Sequence, residues 1–156
     1  MKIRREKVSA LVLARRDVGE ADRLLTLFTR EHGLVRAEAK GVRRIPSRRG
    51  GHLEPLTRIV CLLAGGQGRY FISGAESEEL FVSLQQQVAA RQVAERLAAV
   101  VLRTLQLEES HPELYDALHD VFASVAELPP AKRDLLEIGC TFFALEQAGF
   151  KVDLAH

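Results

Sequence analysis

The sequence predicts an α+β protein: a small five-stranded barrel followed by an α-helical domain. Three observations carry that prediction. Short β-prone runs divided by turn residues fill the first half, helical periodicity takes over near residue 77, and the charge divides the same way. Residues 1–75 hold 16 Lys and Arg against 7 Asp and Glu, a net of +9, whereas residues 76–156 hold 6 against 14, a net of −8. The whole-chain value of +1 hides this split, and a basic half of this kind suits a polyanionic partner. Attraction between the two halves is the plainer alternative.

The strands follow in order. Val8 to Ala14 is apolar and ends at Arg15-Arg16-Asp17, with Val18-Gly19 as the turn. Leu24 to Thr29 is β-prone and stops at Glu31-His32-Gly33. Leu34 to Lys40 alternates: Val35, Ala37 and Ala39 face a core while Arg36, Glu38 and Lys40 face out, the pattern of a half-buried strand. Leu56 to Leu63 is a nearly continuous apolar strand, and Gly65-Gly66-Gln67-Gly68 turns it into Arg69 to Ser73. Those glycines lack the Lys-Ser/Thr pair and following helix of a phosphate-binding P-loop, so they read as a hairpin.

The helices come next. Ser77-Glu78-Glu79 suits a helix start, and Val82 to Leu105 offers Leu84, Val88, Val93, Leu97, Val101 and Leu105 as a buried stripe. Ser110-His111-Pro112-Glu113 has capping-box spacing and opens a helix with Leu114, Leu118, Phe122 and Val125 on one face. Pro129-Pro130 breaks the chain. A last helix over Ala131 to Gln147 buries Leu135, Ile138, Phe142 and Leu145 and stops at Gly149. The implied domains are 1–76 and 77–156. Five strands with one long connection, between the third and fourth, outline an OB-fold, a barrel that binds oligonucleotides. Strand count alone admits an SH3-like barrel as well.

That long connection carries the strongest functional signal. Lys40, Arg43, Arg44, Arg48 and Arg49 fall within ten residues with no acid before Glu54. Gly50, Gly51 and Pro46 disfavour regular structure there. Unpaired cations at this density raise one another's energy until an anion arrives, and Arg grips phosphate bidentately. Arg15, Arg16, Arg23, Arg36, Arg58 and Arg69 lie on neighbouring strands. Aromatics would add base stacking: Phe28 reads as core, but of the adjacent pair Tyr70 and Phe71 one must face outward. Tyr70 is placed with the binding residues.

Other chemistries find little support. Cys61 and Cys140 are far apart and sit in apolar runs, which fits core thiols in a reducing compartment rather than a disulfide framework or zinc site. His32, His52, His111, His119 and His156 lack metal-ligand spacing. No nucleophile signature appears, so no catalytic residue, metal or cofactor is expected and the chain reads as a binding protein, not an enzyme. The basic N-terminus is followed by no apolar segment of a signal peptide, and no apolar run is long enough to span a bilayer, so a cytoplasmic protein without membrane contact is expected.

Ala10 to Glu76 closely resembles the N-terminal OB-fold of the bacterial RecO family. The matching pieces are GEADRLLTLFTREHGL (Gly19 to Leu34), AKGVRR followed by Ser47 (from Ala39), and GGHLEPLT (Gly50 to Thr57). The helical half is also similar, down to LEQAGFKVDL (Leu145 to Leu154). The resemblance implies a recombination mediator of the RecF pathway, associated with the nucleoid. Such a protein binds single- and double-stranded DNA, anneals complementary strands, partners RecR, and helps RecA load onto strands coated by single-strand binding protein. It implies DNA-binding roles for Arg36, Lys40, Arg43, Arg44, Arg48 and Arg49, to which Arg15, Arg16 and Arg69 are added. In the family a cysteine-bearing zinc module and a further helix commonly follow the position matching His156. The present chain reads as a short form or fragment lacking that module. An RNA- or ribosome-associated OB module, or a protein adaptor without DNA contact, would share the charge pattern.

Overall fold

A computed structural model describes residues 4–43 and 53–151. Five strands come first: β1 (Arg4–Val18), β2 (Asp22–Thr29), β3 (Gly33–Ala39), β4 (Arg58–Gly66) and β5 (Arg69–Glu79). They close into a barrel in the order β1-β2-β3-β5-β4, with β4 returning to pair with β1. Every pairing is antiparallel except β3 with β5. That Greek-key closure is the OB arrangement, which settles the choice against an SH3-like barrel. The hairpin at Gln67-Gly68 has positive φ at both residues, 53° and 84°, the geometry that a two-residue loop between twisted strands requires.

Two apolar cores share these strands. Val8, Ala10, Val12, Leu25, Leu27, Val35, Ala37, Ile59, Cys61 and Leu63 fill the barrel. On its outside, Leu11, Leu13, Phe28, Leu34 and Leu56 pack into a second core with the helices. This explains why the middle of β1 is continuously apolar: Ala10, Leu11, Val12 and Leu13 are all buried because both faces of the strand are covered there.

The helices are α1 (Val82–Gln86), α2 (Val88–Thr104), α3 (Pro112–Ser124) and α4 (Pro130–Gln147), with a 3-10 turn at Val125–Glu127 before α4. Leu114, Leu118, Phe122 and Val125 are buried as the spacing predicts. Four expectations need correction. Ser77, Glu78 and Glu79 do not start a helix. They extend β5, with Ser77 opposite Ile59 and Glu79 opposite Arg58, and it is this cross-strand pairing that overrides their local preference. The run from Val82 to Leu105 is interrupted at Gln87, whose backbone is extended, and Val88 beyond the break is 60% exposed. Ser110 forms no capping box. His111 is the N-cap of α3, and the Ser110 hydroxyl donates instead to the Arg30 carbonyl at 3.0 Å.

The fourth correction concerns α4. Leu135, Ile138 and Phe142 are 70%, 53% and 40% exposed. Cys140 and Ala144 are buried in the helical core, with Leu136 and Phe143 packed against it. The helix carries two apolar stripes, and contact with the preceding helices selects the one containing the small residues, which permits a close approach. Among the described residues no helix is long and apolar enough to cross a membrane.

The segment between α2 and α3 straps the helices to the barrel. Leu107 makes a parallel β-bridge with Leu34. The Glu108 amide donates to the Leu34 carbonyl at 2.8 Å, and the Arg30 guanidinium holds Asp116 on α3 at 3.1 Å.

Candidate nucleic-acid interface

Strand register decides which side chains share the barrel's outer face. Arg16, Leu24, Glu38 and Phe71 are successive partners on β1, β2, β3 and β5. At strand spacing this row spans roughly 14 Å. Ala14, Thr26 and Arg36 form the next outward row. A groove of about 340 Å³ runs between these rows, lined by Ala14, Arg15, Arg16, Leu24, Thr26 and Arg36.

In the row between, Leu25, Ala37 and Tyr70 point inward, whereas Arg15, at the β1 end of the row, is exposed and lines the groove. Leu25 and Ala37 are fully buried and the Tyr70 ring packs against the barrel core. The Tyr70 hydroxyl donates to Glu108 at 2.6 Å, and that bond pushes the phenol's pKa up to about 12. Its neighbour Phe71 is therefore the outward aromatic. Lys40 Nζ lies 5.4 Å and Arg69 Cζ 6.0 Å from the centre of its ring. Phe28 is buried and meets Tyr115 edge-on, as a core residue.

The cations separate into two groups by their partners. Arg15 pairs with Glu54 at 3.2 Å, and Arg23 with Asp17 at 3.1 Å. Arg58 is held by Glu78 at 3.2 Å and Glu79 at 2.8 Å, at the junction with the helices. Arg43 donates to the carbonyls of Gly19 at 2.6 Å and Asp22 at 3.2 Å, so it staples the β1–β2 turn. By contrast, among the described residues Arg16, Arg36, Lys40 and Arg69 have no carboxylate within ion-pairing distance, and all four are exposed. These four surround the groove and Phe71. Arg44, Arg48 and Arg49 lie outside the described residues.

One cluster was not foreseen from sequence. His119 meets Glu79 at 2.7 Å and lies edge-on to Phe81, joining β5 to α3. Burial pushes the Glu79 carboxyl up, but hydrogen bonds from His119 and Arg58 outweigh it and hold the group below its ordinary value. The pairing of β4 with β5 sets Arg58 beside Glu79 and the docking of α3 brings His119, and no local motif signals either. Burial also raises both thiols, Cys61 and Cys140, to about 11, leaving them protonated at neutral pH. No group of three or more His, Cys, Asp and Glu that could hold a metal exists among the described residues.

Comparison with known proteins narrows this description. Residues 1–81 match the family model described as recombination protein O N terminal. The DNA repair protein RecO of Bifidobacterium adolescentis is 57% identical over 67 residues, covering 43% of this chain and 27% of the relative. That of Bifidobacterium animalis subsp. lactis is 54% identical over 71 residues, 46% of this chain and 29% of the relative. That of Pelotomaculum thermopropionicum is 36% identical over 120 residues, 77% of this chain and 47% of the relative. The matches thus span less than half the length of these curated relatives. With the family model covering more than half of the chain, over a closed OB barrel followed by helices, the protein belongs to the recombination protein O family.

Proposed function

We propose that this chain is the DNA-binding part of a recombination mediator acting in DNA repair, and that it holds single- and double-stranded DNA on the β1-β2-β3-β5 face. The observation that carries this reading is the placement of Arg16, Arg36, Lys40 and Arg69. These are exposed cations without carboxylate partners among the described residues, grouped around one groove and one aromatic in a member of the RecO family. Arg44, Arg48 and Arg49 belong to the proposed site through their density in sequence. Arg15, Arg43 and Tyr70 contribute by shaping it, since each already has an internal partner.

The mechanism is non-enzymatic. Cations neutralise phosphates and release counterions. Two strands held on one such surface repel each other less, and complementary ones can then pair. In this reading residues 1–76 form the DNA-binding unit and 77–156 the helical support. RecR, single-strand binding protein and RecA are the partners of the whole mediator, in the cytoplasm at the nucleoid.

The test is a salt titration of binding together with an annealing assay. Four engaged cations give a log–log slope of about −3 on single strands, at ~0.7 per phosphate. Alanine at Arg16, Arg36, Lys40 and Arg69 together flattens that slope and slows annealing of complementary oligonucleotides. Salt-independent binding refutes the reading. Tighter binding of RNA than of DNA of the same sequence favours an RNA-associated module instead.

A further inference from the structure

We propose that Phe71 is a base-stacking platform that gives this face a preference for single strands. The inference rests on the DNA-binding reading above and names the part of nucleic acid that the site takes beyond phosphate. Three observations point to it. First, Phe71 belongs to neither apolar core: Phe28 is buried in the helical core and Tyr70 packs on the barrel core, whereas the Phe71 ring joins neither and is only partly covered. A partly covered ring on a strand face is ordinary by itself; it is the groups around Phe71 that single it out.

Second, Lys40 and Arg69 both approach this ring, and neither has a carboxylate partner among the described residues. Cation–π attraction at an exposed site is weak, so an arriving base can take the ring while the cations move to the flanking phosphates. Third, the carboxylate of Glu38 occupies the neighbouring position across the β3–β5 pairing. It repels phosphate at that point, so the backbone lies over the cations and a base, not a phosphate, comes to the ring. Bases in a duplex are already stacked on their neighbours, so only an unpaired strand can use the platform.

The chain contains no tryptophan, which makes a direct readout available. In Phe71→Trp the new indole is the only one present. A thymine oligonucleotide quenches its emission on binding, and an oligonucleotide of equal length and charge built from abasic sites does not. In Phe71→Leu, which keeps an apolar side chain on the strand, single-strand affinity falls about ten-fold while affinity for a blunt duplex stays within about two-fold. The abasic oligonucleotide binds wild type and Phe71→Leu equally.

Equal losses of Phe71→Leu on duplex and single strand overturn the platform, as does a loss that persists on the abasic strand. An indole quenched equally by abasic and thymine strands overturns it too. If wild type binds neither single strand nor duplex, the DNA-binding reading itself fails, a result distinct from binding that is intact but indifferent to Phe71.

Discussion

Replacement of Gly33 by alanine tests the strap between barrel and helices. Gly33 has φ +66°, and a Cβ built there falls 2.7 Å from the Glu109 carbonyl carbon and closer still to its oxygen. Gly19 has nearly the same backbone, φ +59°, with nothing within 4 Å of its Cβ. Both substitutions therefore incur the left-handed penalty of an L-residue, ~1–2 kcal/mol, but only Gly33→Ala must also displace the strap. Displacement breaks the Glu108 amide bond to Leu34, the Ser110 bond to Arg30 and the Tyr70 bond to Glu108. At about 1 kcal/mol net for each, the total loss at Gly33 is roughly 4–5 kcal/mol. Urea denaturation followed by circular dichroism measures both variants against wild type. Equal losses for Gly33→Ala and Gly19→Ala would refute the strap as a source of stability.

Three further outcomes follow from the same geometry. Arg43→Ala, which loses the carbonyl contacts that hold the β1–β2 turn, lowers stability by ~1–3 kcal/mol in thermal denaturation, and lysine, lacking the planar fork, does not restore it. Tyr70→Phe removes the bond to Glu108 while keeping the ring that packs on the barrel core, and lowers stability by about 1 kcal/mol in thermal denaturation. Glu79 has a folded carboxyl held below the ordinary value of 4.5, so its contribution is present above that pH and is lost as pH falls through the folded value. Glu79→Gln is accordingly less stable than wild type at neutral pH, and the gap between their urea midpoints narrows as pH falls below 4.5.

Much of the barrel was legible because strand pattern and turn chemistry are local. The alternation of Val35, Ala37 and Ala39 with Arg36 and Glu38 reads directly as one buried and one exposed face, and the structure has it so. What sequence alone leaves open is set by partners distant along the chain. Arg16 and Arg43 look alike as residues, but the fold leaves one without a carboxylate among the described residues and lays the other, in the turn after β3, onto the Gly19 carbonyl. The same holds for Tyr70 and Phe71. Alternation says that one points out, and only the pairing of Ala37 with Tyr70 says which. In α4 the stripe through Leu135 and Ile138 is as apolar as that through Leu136 and Cys140, and periodicity cannot choose between them. Ser77-Glu78-Glu79 misleads because its backbone is governed by β4, not by its own preferences.

The second core has a consequence for how the chain is born. Leu11, Leu13, Phe28 and Leu34 leave the ribosome with the strands, but the residues that cover them, among them Leu97, Leu118 and Phe122, are made later. At translation speeds of ~5–20 residues per second, the finished barrel waits on the order of seconds with one apolar flank in water. During that interval it is a sticky intermediate. The helices thus act as a cover that the chain supplies to itself, and the barrel cut free after β5 would keep that flank bare.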